Sequence, residues 1–289
     1  MAKERRSLNG KVVAITGGAR GIGKATARAL AGRGCRVAIG DIDLALAERT
    51  AVELGSGTVA LSLDVTDRSS FDSFLTEVES RLGPLDVMVN NAGIMPVVPL
   101  VEESEESIAR QVDINLHGVI TGTQLAIARM QPRRGGHIIN LASQAGKAGV
   151  PGIATYSATK HGVVGLSEAV RAELRGSGVE ISCVMPTLVN TELTRGISQR
   201  WVRPVEPEEV ASEIVDALEV PRFDVFVPRL NGILFKVMRL LPREVSEWVG
   251  RAMGLDKLMI QIDHDARRPY EERAASAPGE SAEAQREAA

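Results

Sequence analysis

The chain has 289 residues, 44% of them hydrophobic and 25% charged, a balance that suits one globular α/β domain able to bury its own core. Its 34 basic and 37 acidic side chains give a net charge of −3, without the basic bias of a nucleic-acid binder. Two cysteines in apolar stretches, Cys35 and Cys183, read as buried reduced thiols, and no secretory leader or span of about 20 apolar residues is visible, so a cytoplasmic protein is expected.

In chain order, the apolar run 12–16 predicts a buried strand, and small and apolar residues along one face of 23–33 predict the helix after it. The alternation continues with strand 36–39, helix 44–54, strand 59–63, helix 69–82 and strand 85–89. A long helix from about 105 to 130, strand 136–141, helix 156–175, strand 180–184, helix 207–218 and a short strand 225–227 follow. These strands are continuously apolar, the habit of a parallel sheet covered on both faces. Regular β-then-α order predicts a doubly wound α/β sheet that binds its ligand outside the carboxyl ends of the strands. Residues 8–228 make up this single domain; 229–262 read as a helical, apolar C-terminal extension and 263–289 as a disordered tail.

Straight after the first strand come Thr16, Gly17, Gly18, Ala19, Arg20, Gly21, Ile22 and Gly23, and then a helix. A backbone that turns tightly and approaches a pyrophosphate has no room for a Cβ, and free amides at a helix start attract the phosphates. Asp41 ends the second strand, near the roughly 20-residue offset at which a carboxylate takes the adenosine ribose hydroxyls. It repels a 2′-phosphate and so favours NAD over NADP, whereas Arg20 could pair with that phosphate; the carboxylate is weighted more heavily. Asp43 reads as a solvated carboxylate. Asp64 and Val65 can cap the adenine edge. Asn90, Asn91, Ala92 and Gly93 end the fourth strand, where asparagines tie loops first and line a cofactor second.

Tyr156 and Lys160 are one helical turn apart, so the ammonium can sit beside the phenol and, together with a positive nicotinamide ring, lower its pKa from about 10. Ser143, at the end of the fifth strand, can hydrogen-bond a substrate oxygen beside that phenol. Asn115 interrupts a long helix in which asparagine is a mediocre former. A side-chain amide or freed carbonyl that holds a water for Lys160 would explain it, although alone it reads as structural. The four histidines, His117, His137, His161 and His264, are scattered, and no metal is expected.

Taken in order, Gly17, Gly21 and Gly23, the Asn90–Gly93 stretch, Asn115, Ser143, Tyr156 and Lys160 resemble the short-chain dehydrogenase/reductase family over residues 8–228. The resemblance implies a Rossmann-type fold, an Asn115–Ser143–Tyr156–Lys160 tetrad, and hydride transfer between NAD and an alcohol or ketone. It also implies a homo-oligomer, dimer or tetramer, built on the two long helices, and a nicotinamide-contacting stretch with Pro186, Val189 and Thr191. Where the family usually has Pro-Gly, this chain has Pro186-Thr187, which bears on the geometry of that loop. Rival readings are a non-catalytic NAD-binding protein and an epimerase or dehydratase on the same fold.

The loop 94–100 is apolar, which suits a lipophilic alcohol or ketone or, equally, packing under the loop. In the extension, 232–241 is apolar nearly all round, and Val245, Trp248, Val249, Ala252 and Met253 follow at helical spacing. Packing against the domain, a subunit interface or a substrate lid is weighted above the second reading. That second reading is peripheral contact with a membrane surface, helped by Lys236, Arg239, Arg243 and Arg251.

Overall fold

The computed structural model describes residues 5–197, 203–238, 241–242, 244–245 and 262–275. Strands β1 (Val12–Thr16), β2 (Arg36–Asp41), β3 (Val59–Ser62), β4 (Val87–Asn90), β5 (Gly136–Leu141), β6 (Val179–Pro186) and β7 (Asp224–Val227) form one parallel sheet in the order β3-β2-β1-β4-β5-β6-β7. The order reverses between β1 and β4. That is the switch point at which loops diverge and leave a crevice at the carboxyl ends.

Both faces of the sheet are apolar, because successive side chains of a strand point to opposite sides. Val13 and Ile15 of β1 pack with Val89 and Ile139 under helices α1 (Gly21–Ala31), α2 (Leu44–Leu54) and α7 (Pro207–Glu219). Val12 and Ala14 pack with Met88 and Ile138 on the other face. There they meet α3 (Arg68–Leu82), α5 (Gly118–Met130) and α6 (Ala154–Glu173) through Phe71, Leu75, Met130 and Val170. Phe71 and Leu75 are fully buried, each contributing about 1.5–3 kcal/mol of burial free energy.

The predicted elements stand, with shifts at their ends. The strands β2, β4 and β6 run on to Asp41, Asn90 and Pro186, so Asp41 and Pro186 sit on the sheet rather than in loops. The long helix expected over 105–130 is α4 (Glu105–Val112) and α5, joined without a break by a π turn over Asp113–His117. A π turn spaces the backbone hydrogen bonds more widely and marks functional positions; here it carries Asn115.

Helix α8 (Arg229–Met238) packs Gly232 and Phe235 on Phe226 of β7, with the two rings stacked at 5.7 Å. Leu230, Ile233 and Val237 point outward. Trp248, Val249, Ala252, Met253, Arg239, Arg243 and Arg251 lie outside the described residues. The reading of 263–289 as disordered is corrected over part of its length: His264–Ala275 is a helix, α9, docked on the domain. Residues 276–289 are outside the described residues.

Candidate active site

A cleft of about 470 Å³ runs across the carboxyl ends of β1, β2, β4, β5 and β6. At one end lies the glycine turn. Gly17 has φ +62° and Gly21 φ +53°, a conformation that side chains disfavour. No side chain caps α1, so the amides of its first turn remain open to an anion. Gly23 does not line the cleft, which corrects its expected place as a cofactor contact. A Cβ there would overlap the Gly17 carbonyl oxygen, so Gly23 serves the close packing of helix on turn.

Thr16 and Asn91 lock this turn to the end of β4. The Thr16 hydroxyl accepts from the amides of Asn91 and Ala92, both at 3.0 Å. The Asn91 side-chain amide donates to the carbonyls of Thr16 at 2.9 Å and Gly17 at 3.0 Å. Asn90 is a core residue that donates to Asn140 at 2.8 Å. The asparagines thus tie the loop, as expected, while Asn91, Ala92 and Gly93 also line the cleft.

Asp41 is 9% exposed and lines the cleft, its oxygens accepting from the amides of Ala19 at 3.1 Å and Asp43 at 3.2 Å. Burial raises its carboxyl above the usual range, and those amides oppose the shift. Asp64 lines the cleft with Val65 and ties its own turn by accepting from the Thr66 amide at 2.9 Å. Arg20, which could have met a 2′-phosphate, is held by Asp43 at 3.0 Å and by Glu192 at 3.1 Å.

At the other end, Ser143, Tyr156 and Lys160 line the same cleft. The ammonium of Lys160 lies 5.5 Å from the centroid of the Tyr156 ring and donates to the Leu141 carbonyl at 2.8 Å. Burial lowers its pKa to about 8. Burial also pushes the Tyr156 phenol above its ordinary value; a hydrogen bond with Ser143 opposes that, and Tyr270 adds to it. The expected depression of the phenol combined Lys160 with the charge of a bound nicotinamide; without that charge, burial sets the direction. The ammonium faces the ring and a carbonyl, and desolvation of a phenolate outweighs it.

Asn115 is fully buried and does not line the cleft. Its side chain clamps the substrate-side loop, accepting from Ile94 N and donating to Ile94 O, both at 2.8 Å. Of the four residues expected as a tetrad, it alone lies behind the cleft wall, where it positions Ile94. Within the 94–100 loop the two sequence readings divide: Ile94 and Met95 line the cleft, while Val97 packs beneath with Ile153 and Leu188. Pro186, Thr187, Val189 and Thr191 complete the wall. Thr187 is not among the non-glycine residues with positive φ, so this loop does not need the family's glycine there.

Helix α9 was missed. Arg267 is fully buried, and its guanidinium donates to three carbonyls, Met95 at 2.9 Å, Leu193 at 3.0 Å and Arg195 at 3.1 Å. The Tyr270 hydroxyl accepts from the Met95 amide at 2.8 Å, and Tyr270, Arg273 and Ala274 line the cleft. Arg267, Tyr270, Glu271 and Ala274 follow the i, i+3, i+4, i+7 spacing of one helix face. That spacing was the available signal, obscured because the stripe is polar.

The Rossmann-type sheet and its switch-point crevice define a class of dinucleotide-binding folds. The chain matches the short chain dehydrogenase family over residues 11–201 and belongs to it. It is 40% identical over 195 residues to sorbitol dehydrogenase of Cereibacter sphaeroides, covering 67% of this chain and 76% of that protein. It is 29% identical over 259 residues to human 17-beta-hydroxysteroid dehydrogenase 13, covering 88% and 86%. A match that long reaches into the C-terminal extension. A short-chain dehydrogenase/reductase from Burkholderia phymatum, solved in complex with NAD, superposes with a TM-score of 0.74 at 25% identity, covering 81% of this chain and 94% of that one. The chain is thus an oxidoreductase of a family that acts on CH–OH groups.

Proposed function

We propose that the protein is an NAD-dependent dehydrogenase or reductase of lipophilic secondary alcohols and ketones, with Tyr156 as its acid/base. The observation that carries this is the convergence of Tyr156, Ser143 and Lys160 on the cleft that also holds the open amides of α1. The cleft fits a dinucleotide: Gly17 and Gly21 leave room for close approach, and Asp41 stands at the ribose end. Gly17, Arg20, Gly21, Ile22, Asp41, Asp64, Val65, Asn91, Ala92, Gly93, Pro186, Val189 and Thr191 would hold the cofactor, together with Tyr156 and Lys160. When bound, it carries the hydride and, oxidised, adds a positive charge that favours the phenolate.

In oxidation, the Tyr156 oxygen takes the alcohol proton; in reduction, its hydroxyl returns a proton to the carbonyl oxygen. Ser143 orients the substrate oxygen beside the phenol. Lys160 keeps a cation against the ring, and Asn115 fixes the loop that carries Ile94. Two features favour NAD over NADP: the buried Asp41 carboxylate, and an Arg20 guanidinium already engaged by Asp43 and Glu192. Met95, Ile153, Leu188, Leu193 and Phe235 on the substrate side favour an apolar substrate, closer in kind to a hydroxysteroid than to a polyol.

Exposed Ala158, Gly165 and Ala169 on α6 support close helix packing in a homo-oligomer. The outward Leu230, Ile233 and Val237 of α8 support a further contact surface, a subunit before a membrane. The buried free thiols Cys35 and Cys183 favour a reducing, cytoplasmic setting. Among the described residues no helix is long and apolar enough to cross a membrane.

The test is a panel of secondary alcohols and ketones, from polyols to steroids, assayed with NAD(H) and NADP(H) at the NADH absorbance band. Turnover of apolar members with NAD(H) is expected. Absence of turnover with every pair would refute the enzyme reading.

A further inference from the structure

A cluster of charges at the amide-rich end of the cleft joins the domain to α9, and its purpose rests on the dinucleotide reading above. Arg273 Nη2 lies 2.8 Å from Glu192 Oε2, and the same oxygen accepts from Arg20 Nη1 at 3.1 Å. Arg20 in turn reaches Asp43 at 3.0 Å. Arg20, Glu192 and Arg273 all line the cleft, and Glu192 follows Thr191, whose Cγ2 would lie 3.3 Å from a Cβ on Gly21. The cluster therefore borders the turn whose amides attract phosphate.

We propose that Arg273 is a cofactor-holding residue at the diphosphate end of the cleft, and that Glu192 is the counter-charge that positions Arg273 and Arg20 and limits how much negative charge the cleft accepts. An ion pair as exposed as this one, with side chains 34% and 41% accessible, contributes little to stability by itself. Yet α9 is docked in a way that holds Arg273 there. The buried Arg267 fixes the helix to the loops at Met95, Leu193 and Arg195. The two arginines are balanced by Asp43 and Glu192, so an entering diphosphate competes with Glu192 for guanidinium groups already in place. Arginine suits this exchange, because its planar fork serves a carboxylate and a phosphate alike. Thus α9, although outside the α/β domain, supplies part of the nucleotide site.

The experiment measures binding of NADH, ADP and adenosine by the full chain and by Arg273→Ala, Arg273→Lys and Glu192→Gln, at low and high salt. Arg273→Ala should weaken NADH and ADP about fivefold at low salt, less at high salt, and leave adenosine, which has no phosphate, unchanged. Arg273→Lys, which keeps the charge but not the fork, should recover part of the loss. Glu192→Gln should tighten ADP about threefold, since two guanidinium groups then face one carboxylate. Unchanged ADP binding in Arg273→Ala overturns the proposal, as does equal weakening of adenosine and ADP, which would mark a structural role. Unchanged ADP binding in Glu192→Gln removes the counter-charge role. If the unmodified protein binds neither NADH nor NADPH, the dinucleotide reading itself fails and takes this proposal with it.

Discussion

At the end of the cleft that we assign to the dinucleotide, the turn presents mostly backbone: the bend at Gly17 and Gly21, the open amides of α1, and beside them one carboxylate, Asp41. At the substrate end it is side chains, drawn from β5, α6, the loops after β4 and β6, and α9. The first end is built around one local turn, tied to the end of β4 by Asn91 and, in our proposal, completed by Arg273. The second is assembled over long separations, as the bond between Arg267 and Met95, 172 residues apart, illustrates. Shape holds one end and side-chain chemistry defines the other, so single substitutions should separate them.

The largest separation is expected from Tyr156→Phe. Loss of the acid/base should cut kcat by about 10²–10⁴-fold, while NADH titration shows binding retained and weakened far less than kcat. Near-normal turnover would remove Tyr156 from the chemistry. Gly23→Ala should do the reverse. The new methyl group collides with the Gly17 carbonyl, costing about 1–3 kcal/mol of stability and weakening NADH about tenfold or more. Thermal melts and titration check this, and retained affinity would show that the turn can yield.

Arg267→Ala attacks the substrate end. With three carbonyls unpaired, α9 should loosen, KM for the preferred alcohol should rise about tenfold, and proteolysis near 263–275 should quicken. NADH affinity should fall no further than in Arg273→Ala. An unchanged KM would mean that α9 does not shape the substrate wall.

The smallest effect concerns Lys160. Burial lowers its pKa from 10.5 to about 8, so between these values the unfolded chain holds a proton that the folded chain has released. Stability therefore rises with pH across that window, whereas below it both states are charged and the burial penalty is in full force. The melting temperature of the unmodified protein should gain on that of Lys160→Met by a few degrees between pH 8 and 10. A constant difference would show that Lys160 is not desolvated.

Most of the dinucleotide end was legible in the sequence. Glycines at 17 and 21 report a backbone demand directly, and Asp41 follows at an offset set by one βαβ unit. Gly23 was legible as a requirement but not in its role, since only the packed turn shows that it faces the Gly17 carbonyl rather than the cleft. Tyr156 and Lys160 were legible as a helical pair, but the burial that raises the phenol was not, because it depends on what covers the ring. The helix α9 was missed for a related reason. Its inward stripe of Arg267, Tyr270, Glu271 and Ala274 is polar, and the buried guanidinium is tolerable because Glu271 pairs with it at 2.9 Å and three carbonyls accept from it.

By itself, then, the amino-acid order determined the alternating elements, the parallel sheet covered on both faces, the glycine turn after β1 and the side chains we propose for the chemistry. These follow from local periodicity and local backbone freedom, which short stretches encode. Only the tertiary structure decided what closes the cleft, which charges pair across it, and which of the marked residues touch it. Those outcomes depend on desolvation and on hydrogen-bond partners that lie far away along the chain.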